Sequence, residues 1–327
     1  MDAGFDVVGI GNALVDVISH HGEEFLRAEG LVKGSMTLID TERAIGLHRS
    51  MGSGVELSGG SAANTITGVA SFGGRAAYVG KVAADDLGQM YGHDLRAVGV
   101  TFAHRPGGTT TPTGRCLIVV TPDAERTMNT FLGVSSLLGP DDVDLEVVAN
   151  GRVVYFEGYL FDRDAAKEAY FLAARTAHQH GRKVSLSLSD SFCVDRHRAD
   201  FLRLIEGEVD VLFGNRDELL SLYETASLDE AIASVRGHCE IAAITLGAEG
   251  SLVVTDRDVL HSPAEPVHRV VDTTGAGDLY AAGFLFGLSA SAPLGECARL
   301  GAVAAAEVIS HVGARPLVSL RTLAGLD

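Results

Sequence analysis

The chain has 327 residues, 46% of them hydrophobic and 21% charged, enough to build the core of one large globular domain. Its 26 Lys and Arg against 43 Asp and Glu give a net charge of −17, which disfavours nucleic acid and anionic membrane surfaces as partners. No apolar stretch reaches the roughly 20 residues that cross a bilayer, and the acidic start does not resemble a signal peptide. We therefore expect a cytoplasmic protein. Four widely spaced cysteines, without metal-type pairing, predict reduced core thiols.

Short apolar or β-branched runs alternate with segments of helical periodicity along most of the chain. Predicted strands lie at residues 7–10, 77–79, 153–156, 184–188, 211–213 and 241–246. Predicted helices lie at residues 87–98, 165–180, 195–205, 217–223, 228–236, 279–289 and 294–309. This alternation predicts an α/β fold, a three-layer α/β/α sandwich with a mostly parallel sheet and ligands at the carboxyl ends of its strands.

Two stretches, at about 35–55 and 101–131, break the alternation. Strand-like runs at 36–39 and 116–120 lie there among Gly, Thr and Pro without helical periodicity, which predicts a separate small sheet. The turn-rich tract at 106–114 is either a mobile functional flap or a surface connection.

The run VVDTTGAGD, which ends at Asp278, precedes an almost wholly apolar segment. This pattern predicts a turn of small residues that opens a buried helix. Gly275, Ala276 and Gly277 would leave backbone N–H groups free to approach an anion at the positive end of the helix dipole. A carboxylate beside a bound phosphoryl group can take the proton of an attacking hydroxyl. Alternatively, Asp278 is an ordinary helix N-cap, although a cap requires neither the flanking glycines nor a buried helix.

A second glycine-rich run, LSGGSAAN, ends at Asn64. Gly59 and Gly60 would let a sugar ring lie against bare backbone, and the Asn64 amide can both donate to and accept from hydroxyls. The alternative interpretation of the two glycines is a simple turn.

Together the two runs resemble, in the right order, the signatures of the ribokinase-like (PfkB) family of carbohydrate and nucleoside kinases. The resemblance covers nearly the whole chain. It implies one kinase domain over residues 1–327, with a lid formed by about 12–55 and 101–131 that closes over the acceptor. It also implies that Asp278 is the catalytic base, that the backbone from Gly275 to Gly277 is the anion hole, and that Asp272 and Thr274 lie near a monovalent cation such as K⁺.

The first strand is followed by GIGNALVD, in which Leu14 occupies the third glycine position of a dinucleotide-binding fingerprint, so a nicotinamide cofactor is not expected. By the same resemblance, Asn12 and Asp16 would bind adjacent sugar hydroxyls. Glu157 lies where some sugar kinases carry a hydroxyl-binding carboxylate. The alternative for Asp16 and Glu157 is a solvated carboxylate at a strand end.

Nucleotide binding is expected from two further runs, NRDE at 215–218 and TLGAEG at 245–250. The chain has no Walker P-loop. The resemblance implies that Asn215 and Glu218 help to hold Mg²⁺ with ATP, usually through water, and that Thr245, Gly247 and Gly250 border the phosphates. Alternatively, the first run is a helix capping box and the second a hairpin turn. Residues 304–313 match the region that flanks the adenine and the cation in the family.

The runs at 11–16 and 124–130 are similar to those of adenosine kinases, which favours a purine nucleoside, adenosine first, as acceptor. The alternatives are a kinase of ribose, fructose or a ketodeoxy acid, and a regulator that binds sugar or nucleotide without catalysis. Expected partners are the small-molecule acceptor and ATP, in a monomer or homodimer. An acidic acceptor needs cationic groups, for which the candidates are Arg105, Arg115 and Arg126. Candidates for stacking on a nucleobase are Phe102, Phe131, Phe161 and Phe192.

Overall fold

The computed structural model describes residues 3–104, 110–123 and 125–326. Its strands are β1 (Phe5–Ile10), β2 (Leu14–His20), β3 (Met36–Leu38), β4 (Val55–Gly59), β5 (Ala76–Val79), β6 (Thr101–Ala103), β7 (Gly114–Val120), β8 (Arg126–Phe131), β9 (Gly151–Glu157), β10 (Lys183–Ser187), β11 (Val211–Asn215), β12 (Ile241–Thr245), β13 (Ser251–Val254) and β14 (Val259–Ser262).

The α-helices are α1 (Glu23–Ala28), α2 (Thr41–Met51), α3 (Ser61–Ser71), α4 (Asp86–Ala97), α5 (Leu145–Ala149), α6 (Asp164–Gln179), α7 (Ser191–Glu208), α8 (Arg216–Leu222), α9 (Leu228–Val235), α10 (Ala276–Ser289), α11 (Leu294–Val308) and α12 (Leu320–Leu323).

The large sheet has the strand order β14-β13-β12-β11-β10-β9-β1-β5-β6. Seven neighbouring strands of this sheet are parallel, namely β6, β5, β1, β9, β10, β11 and β12. The hairpin of β13 and β14 adds an antiparallel edge. Side chains alternate across the sheet, so that Val7 faces one core and Val8 the other. Helices α3, α4, α10 and α11 cover the first face and α5 to α9 the second. The predicted three-layer α/β/α sandwich is confirmed.

The small sheet has the order β3-β8-β7-β2-β4. One face, with Val15, Val17 and Leu117, packs on the α2 residues Leu47 and Met51. The separate small sheet predicted around 35–55 and 101–131 is therefore present. Strand β6 differs from that expectation, because it pairs with β5 in the large sheet. Residues 106–109 of the turn-rich tract and Arg105 lie outside the described residues.

The sequence pattern does not predict five of the helices, of which α1, α5 and α12 are short and α2 and α3 are longer. The stretch at 35–55 contains α2, although Ala44, Leu47 and Met51 do recur at helical spacing on its buried face. Helix α3 was also missed, because its Ser, Ala, Thr and Gly composition has little contrast between faces and almost all of it is buried. The cysteine prediction fits the structure, in which all four thiols are free and three are buried.

Helix α10 packs so closely on α11 that its contact needs glycine. A Cβ added to Gly283 would lie 2.3 Å from the carbonyl oxygen of Leu300. We predict that Gly283→Ala destabilises the protein by about 1–3 kcal/mol through overpacking, measured by urea unfolding. Gly46→Ala is the matched control, because a Cβ there, on α2, meets open space and should stabilise the helix by about 0.5–1 kcal/mol. Equal effects of the two substitutions would contradict this packing.

Candidate active site

A cavity of about 830 Å³ lies between the small sheet and the carboxyl ends of the parallel strands. Residues at or just beyond the ends of β1, β9, β10, β11 and β12 line it, namely Asn12, Glu157, Ser187, Asn215 and Thr245. The start of α10 closes one side, and side chains of β2, β3, β4, β7 and β8 cover the opposite side. This is where an α/β sheet of this kind is expected to bind its ligands.

Helix α10 begins with amides directed at the cavity. Its N-cap is Gly275, which has the left-handed conformation (φ 80°, ψ 0°) and whose missing Cβ would lie 2.8 Å from Ala314. The Ala276 N–H donates to the Thr273 carbonyl at 3.2 Å. Among the described residues, the N–H of Gly277 has no acceptor, and a Cβ on Gly277 would meet open space. The helix start can therefore receive an anion.

Asp278 is the third residue of α10 and makes no cap hydrogen bond. The interpretation of Asp278 as the N-cap is therefore wrong, since Gly275 occupies that position. Its carboxylate lines the cavity and accepts from the Ser61 hydroxyl at 2.7 Å and from the Asn64 amide at 3.0 Å. Ser61 and Asn64 lie one turn apart on α3, so both face the same carboxylate. Burial raises the pKa of Asp278, and these two hydrogen bonds oppose the rise.

Asp16 reaches the cavity from the small sheet. It lies on β2 and has no hydrogen-bond partner among the described residues, so its oxygens are available to a ligand. A Cβ on Gly59 would lie 2.5 Å from this carboxylate, so Gly59 makes room for Asp16. Burial raises the pKa of Asp16 to about 6, against the opposing charges of Arg315 and Arg126.

Asn12 and Glu157 lie deeper. Glu157 is 0% exposed, and its oxygens accept from the backbone and side-chain amides of Asn12 (2.7 and 2.8 Å) and from the Ala62 N–H (2.7 Å). The side-chain oxygen Oδ1 of Asn12 in turn accepts from the Ser135 hydroxyl at 3.0 Å. Burial raises the pKa of Glu157 to about 7. This geometry favours a supporting role, in which the pair joins the β1–β2 loop to the start of α3.

Position 60, like position 59, requires glycine for a structural reason. Its φ of +97° is favourable only for glycine, and a Cβ would lie 2.2 Å from the Asn12 carbonyl oxygen. The two glycines thus provide space for Asp16 and for the β1–β2 loop, in addition to the ligand contact that the sequence suggested for them.

At the other end of the cavity, Asn215 and Glu218 form a capping box. The Asn215 side chain accepts from the Glu218 N–H at 2.9 Å, and the Glu218 carboxylate accepts from the Asn215 N–H at 3.0 Å. Both side chains also line the cavity, so the capping role is confirmed without excluding a ligand role. Burial raises the pKa of Glu218 to about 7.

The TLGAEG run contributes less to the cavity than expected. Thr245 lines it, whereas Gly247 and Gly250 lie in the turn that follows and are not among its lining residues. Gly250 has φ +91° and packs against the Ser262 carbonyl oxygen, as a hairpin turn requires. Val312 and Gly313, at the end of the 304–313 region, also line the cavity.

Among the four phenylalanines considered for stacking, only Phe192 lines the cavity. It is 62% exposed, and the Arg196 guanidinium lies 4.6 Å from its ring centroid. Phe102, Phe131 and Phe161 are buried in the core.

A family model for pfkB family carbohydrate kinases matches residues 33–320. The chain belongs to this family. The pfkB kinase is therefore an ATP-dependent enzyme that phosphorylates an alcohol. The recognition of the family from the two glycine-rich runs is confirmed, and the interpretation as a regulator without catalysis is set aside.

The kinase resembles solved structures over its full length. It is 53% identical to adenosine kinase from Sinorhizobium meliloti, with 99% of each chain covered and a TM-score of 0.92. It is 49% identical to a probable sugar kinase from Rhizobium etli, with 99% of this chain and 98% of that chain covered and a TM-score of 0.92. A curated relative, 5-dehydro-2-deoxygluconokinase from Geobacillus thermodenitrificans, is 27% identical over 278 residues, which are 81% of this chain and 82% of the relative.

Kinases of this family use ATP with a divalent metal. The described residues contain no group of three or more His, Cys, Asp and Glu side chains that could hold a metal by themselves. Glu218 is one of the carboxylates that line the cavity, and few carboxylates are needed where Mg²⁺ is held mainly by phosphate oxygens and water.

The monovalent cation expected near Asp272 and Thr274 stays a prediction, and the structure shows that the Asp272 carboxylate has several hydrogen-bond donors around it. One Asp272 oxygen accepts from the Arg126 guanidinium at 2.6 Å and from the Gly313 N–H at 3.0 Å, and the other accepts from the Thr274 N–H at 3.0 Å. The Asp272 carboxylate thus accepts three hydrogen bonds, one of them from a cation. Asp272 and Arg126 instead join the small sheet to the start of α10 through a largely buried ion pair.

Among the polar residues of the site that sequence reasoning missed, Ser61 and Arg315 make hydrogen bonds to Asp278 and to Asn64. Ser61 could have been found from Asn64, because residues three apart share a helix face, but α3 itself had no clear pattern. Arg315 lies in an irregular segment after α11, where no periodicity indicates which side chains point inward.

In the part of the chain that the structure describes, there is no helix with the length and apolarity needed to cross a membrane.

Proposed function

We propose that this pfkB kinase transfers the γ-phosphoryl group of ATP to the 5′-hydroxyl of a purine nucleoside, adenosine first, with Asp278 as general base. The observation that carries the proposal is the position of Asp278. Its carboxylate faces the cavity beside the available amide at the start of α10, held by two neutral donors. A base and an anion site in one helix turn suit an alcohol that attacks a phosphate.

In the proposed reaction, the acceptor oxygen forms a bond to the γ-phosphorus while the bond from that phosphorus to the β–γ bridging oxygen breaks. The hydroxyl proton goes to Asp278, and ADP leaves. The Gly277 amide, which has no acceptor among the described residues, stabilises the negative charge on the transferred group at the positive end of α10. Since burial raises the pKa of Asp278, this carboxylate is a stronger base than a solvated one. Glu218 would help to hold the divalent ion, which would neutralise charge on the phosphates when bound.

The cavity wall supports a nucleoside acceptor. The small sheet presents mainly apolar side chains to the cavity, which are Leu14, Ile18, Met36, Leu38, Leu57, Cys116, Ile118 and Met128. Leu132, just after the end of β8, adds another. A free sugar is hydroxylated on most of its surface and gains little from such a wall, whereas a purine ring buries apolar area on it. Phe192 adds an exposed aromatic ring. The 53% identity to an adenosine kinase also supports a nucleoside acceptor.

Polar groups in this wall then suit the ribose. Asp16 offers an unpaired carboxylate that can accept from two adjacent hydroxyls. Asn64, which donates to Asp278, lines the same cavity as Asp16. Asn12, Glu157, Gly59 and Gly60 support the backbone around these side chains.

A sugar kinase is the second candidate, favoured by the 49% identity to a probable sugar kinase. For an acidic sugar, the cationic groups named from the sequence are poorly placed. Arg126 lines the cavity but is paired with Asp272, Arg115 bonds to His48 at 3.2 Å and does not line the cavity, and Arg105 lies outside the described residues.

The acceptor is tested by ADP release with Mg-ATP across adenosine, guanosine, inosine, cytidine, ribose, fructose and ketodeoxygluconate. We expect kcat/KM to be highest for adenosine and higher for the purine nucleosides than for cytidine. A sugar as the best acceptor would overturn the proposed substrate while leaving the role of Asp278 intact.

We predict that Asp278→Asn lowers kcat by about 10²–10⁴, because the amide cannot accept the proton. ATP affinity should remain close to that of the wild type, measured by calorimetry. Asp256→Asn is the control, since Asp256 is exposed in the β13–β14 turn. Turnover of Asp278→Asn within a few-fold of wild type would refute the assigned base.

The pKa of Asp16 predicts a pH dependence of acceptor binding. With a pKa raised to about 6, Asp16 is ionised above this pH and protonated below it, so KM for adenosine should rise as pH falls through about 6. Asp16→Asn should raise KM at pH 8 by about 10–100-fold, from loss of charged hydrogen bonds, and should remove this pH dependence. An unchanged KM in the variant would count against Asp16 as an acceptor ligand.

A further inference from the structure

Arg315 is a buried arginine beside the cavity. It lies in the segment between α11 and α12, lines the cavity, and donates from Nε to the side-chain oxygen Oδ1 of Asn64 at 3.3 Å. Its Nη2 is buried and has no hydrogen-bond partner among the described residues. A guanidinium held in this way costs desolvation free energy, which suggests that it serves the site.

Arg315 decides which way the Asn64 amide points. An amide has an accepting oxygen and a donating nitrogen that exchange places when the group rotates by half a turn. A guanidinium can only donate, so the Asn64 oxygen must face Arg315. The Asn64 nitrogen is then left to donate to Asp278, at 3.0 Å. The reversed amide would place its oxygen against the Asp278 carboxylate and its nitrogen against the guanidinium, which is repulsive on both sides.

We propose that Arg315 is a positioning residue for the catalytic base, acting through Asn64. The proposal rests on the proposed role of Asp278 and extends it by one residue. In this chain of hydrogen bonds, Arg315 orients Asn64, and Asn64 together with Ser61 fixes the Asp278 carboxylate toward the acceptor and stabilises its charged form.

Other charged groups also act on this carboxylate or on its neighbours. Helix α3 contributes only the neutral Ser61 and Asn64 to Asp278. The titratable and charged groups that line the same cavity are Asp16 on β2, Asp94 on α4, Cys116 on β7, Arg126 on β8, Glu157 on β9, Tyr159, Asp162, Asp190, Arg196 on α7, Glu218 on α8, Tyr280 on α10 and Arg315 itself. Tyr155 on β9 does not line the cavity but interacts by charge with Asp278. Arg315 also acts by charge on Asp16. The test must therefore separate orientation of Asn64 from a direct effect of the arginine charge.

The experiment is a double-mutant cycle in which kcat is measured as a function of pH. Mg-ATP and adenosine are saturating, and if adenosine is not turned over, the best acceptor of the panel replaces it. The variants of the full chain are Arg315→Met, Asn64→Ala and the double variant. Arg257→Met, an exposed arginine in the β13–β14 turn, is the matched control. A lost hydrogen bond to the charged form raises the pKa of the base, so the acidic limb should move to higher pH.

We expect Arg315→Met and Asn64→Ala each to shift the acidic limb upward by about half to one pH unit, and Arg257→Met to leave it unchanged. In the Asn64→Ala background, Arg315→Met should add no further shift, because the residue through which it acts is gone. Arg315→Lys keeps a donor and the charge, and should stay close to the wild-type profile.

Three results would overturn the proposal. A shift from Arg315→Met that persists undiminished in the Asn64→Ala background would show that the charge acts directly. A lower melting temperature with an unmoved acidic limb would show a purely structural role. A Lys variant that behaves like the Met variant would exclude donation as the cause. Failure of the base itself is distinguished by Asp278→Asn, which would then retain turnover and the acidic limb.

Discussion

The site depends on a carboxylate that is held by neutral hydrogen-bond donors and not by a cation. Ser61 and Asn64 fix Asp278 at 2.7 and 3.0 Å without supplying a full positive charge. A guanidinium in direct contact would lower the pKa of Asp278 and weaken it as a base. The three arginines that line the cavity have other partners, since Arg126 pairs with Asp272, Arg196 with Asp162 and Arg315 with Asn64. The carboxylate thus remains fixed in direction and strong as a base.

This arrangement requires two helices to begin at the same place. Helix α3 supplies the donors from its first turn, and α10 supplies the carboxylate and the amides from its own first turn. Glycines at both starts, Gly60 and Gly275, adopt positive φ values and make close backbone contacts that a side chain would prevent. The parallel sheet below them brings residues more than 200 positions apart in the chain into contact, as the Ser61–Asp278 hydrogen bond shows.

The sequence was sufficient for the fold class and for most strands of the large sheet, because buried parallel strands are continuous apolar runs. It was also sufficient to place Asp278, since a glycine-rich turn before an apolar helix is a local pattern. It failed where the reason is tertiary. The ion pair of Arg126 with Asp272 joins residues 146 positions apart, so no local pattern predicts that the Asp272 carboxylate has this cationic partner. The role of Gly59 depends likewise on Asp16 in a neighbouring strand.

The most direct test of the account is a crystal structure of the kinase with adenosine and a non-hydrolysable ATP analogue. We predict the acceptor 5′-oxygen at hydrogen-bond distance, about 2.6–3.2 Å, from an Asp278 oxygen, with the terminal phosphate on the Gly277 amide. A complex in which the acceptor oxygen lies away from Asp278, or in which the terminal phosphate binds away from the start of α10, would contradict it.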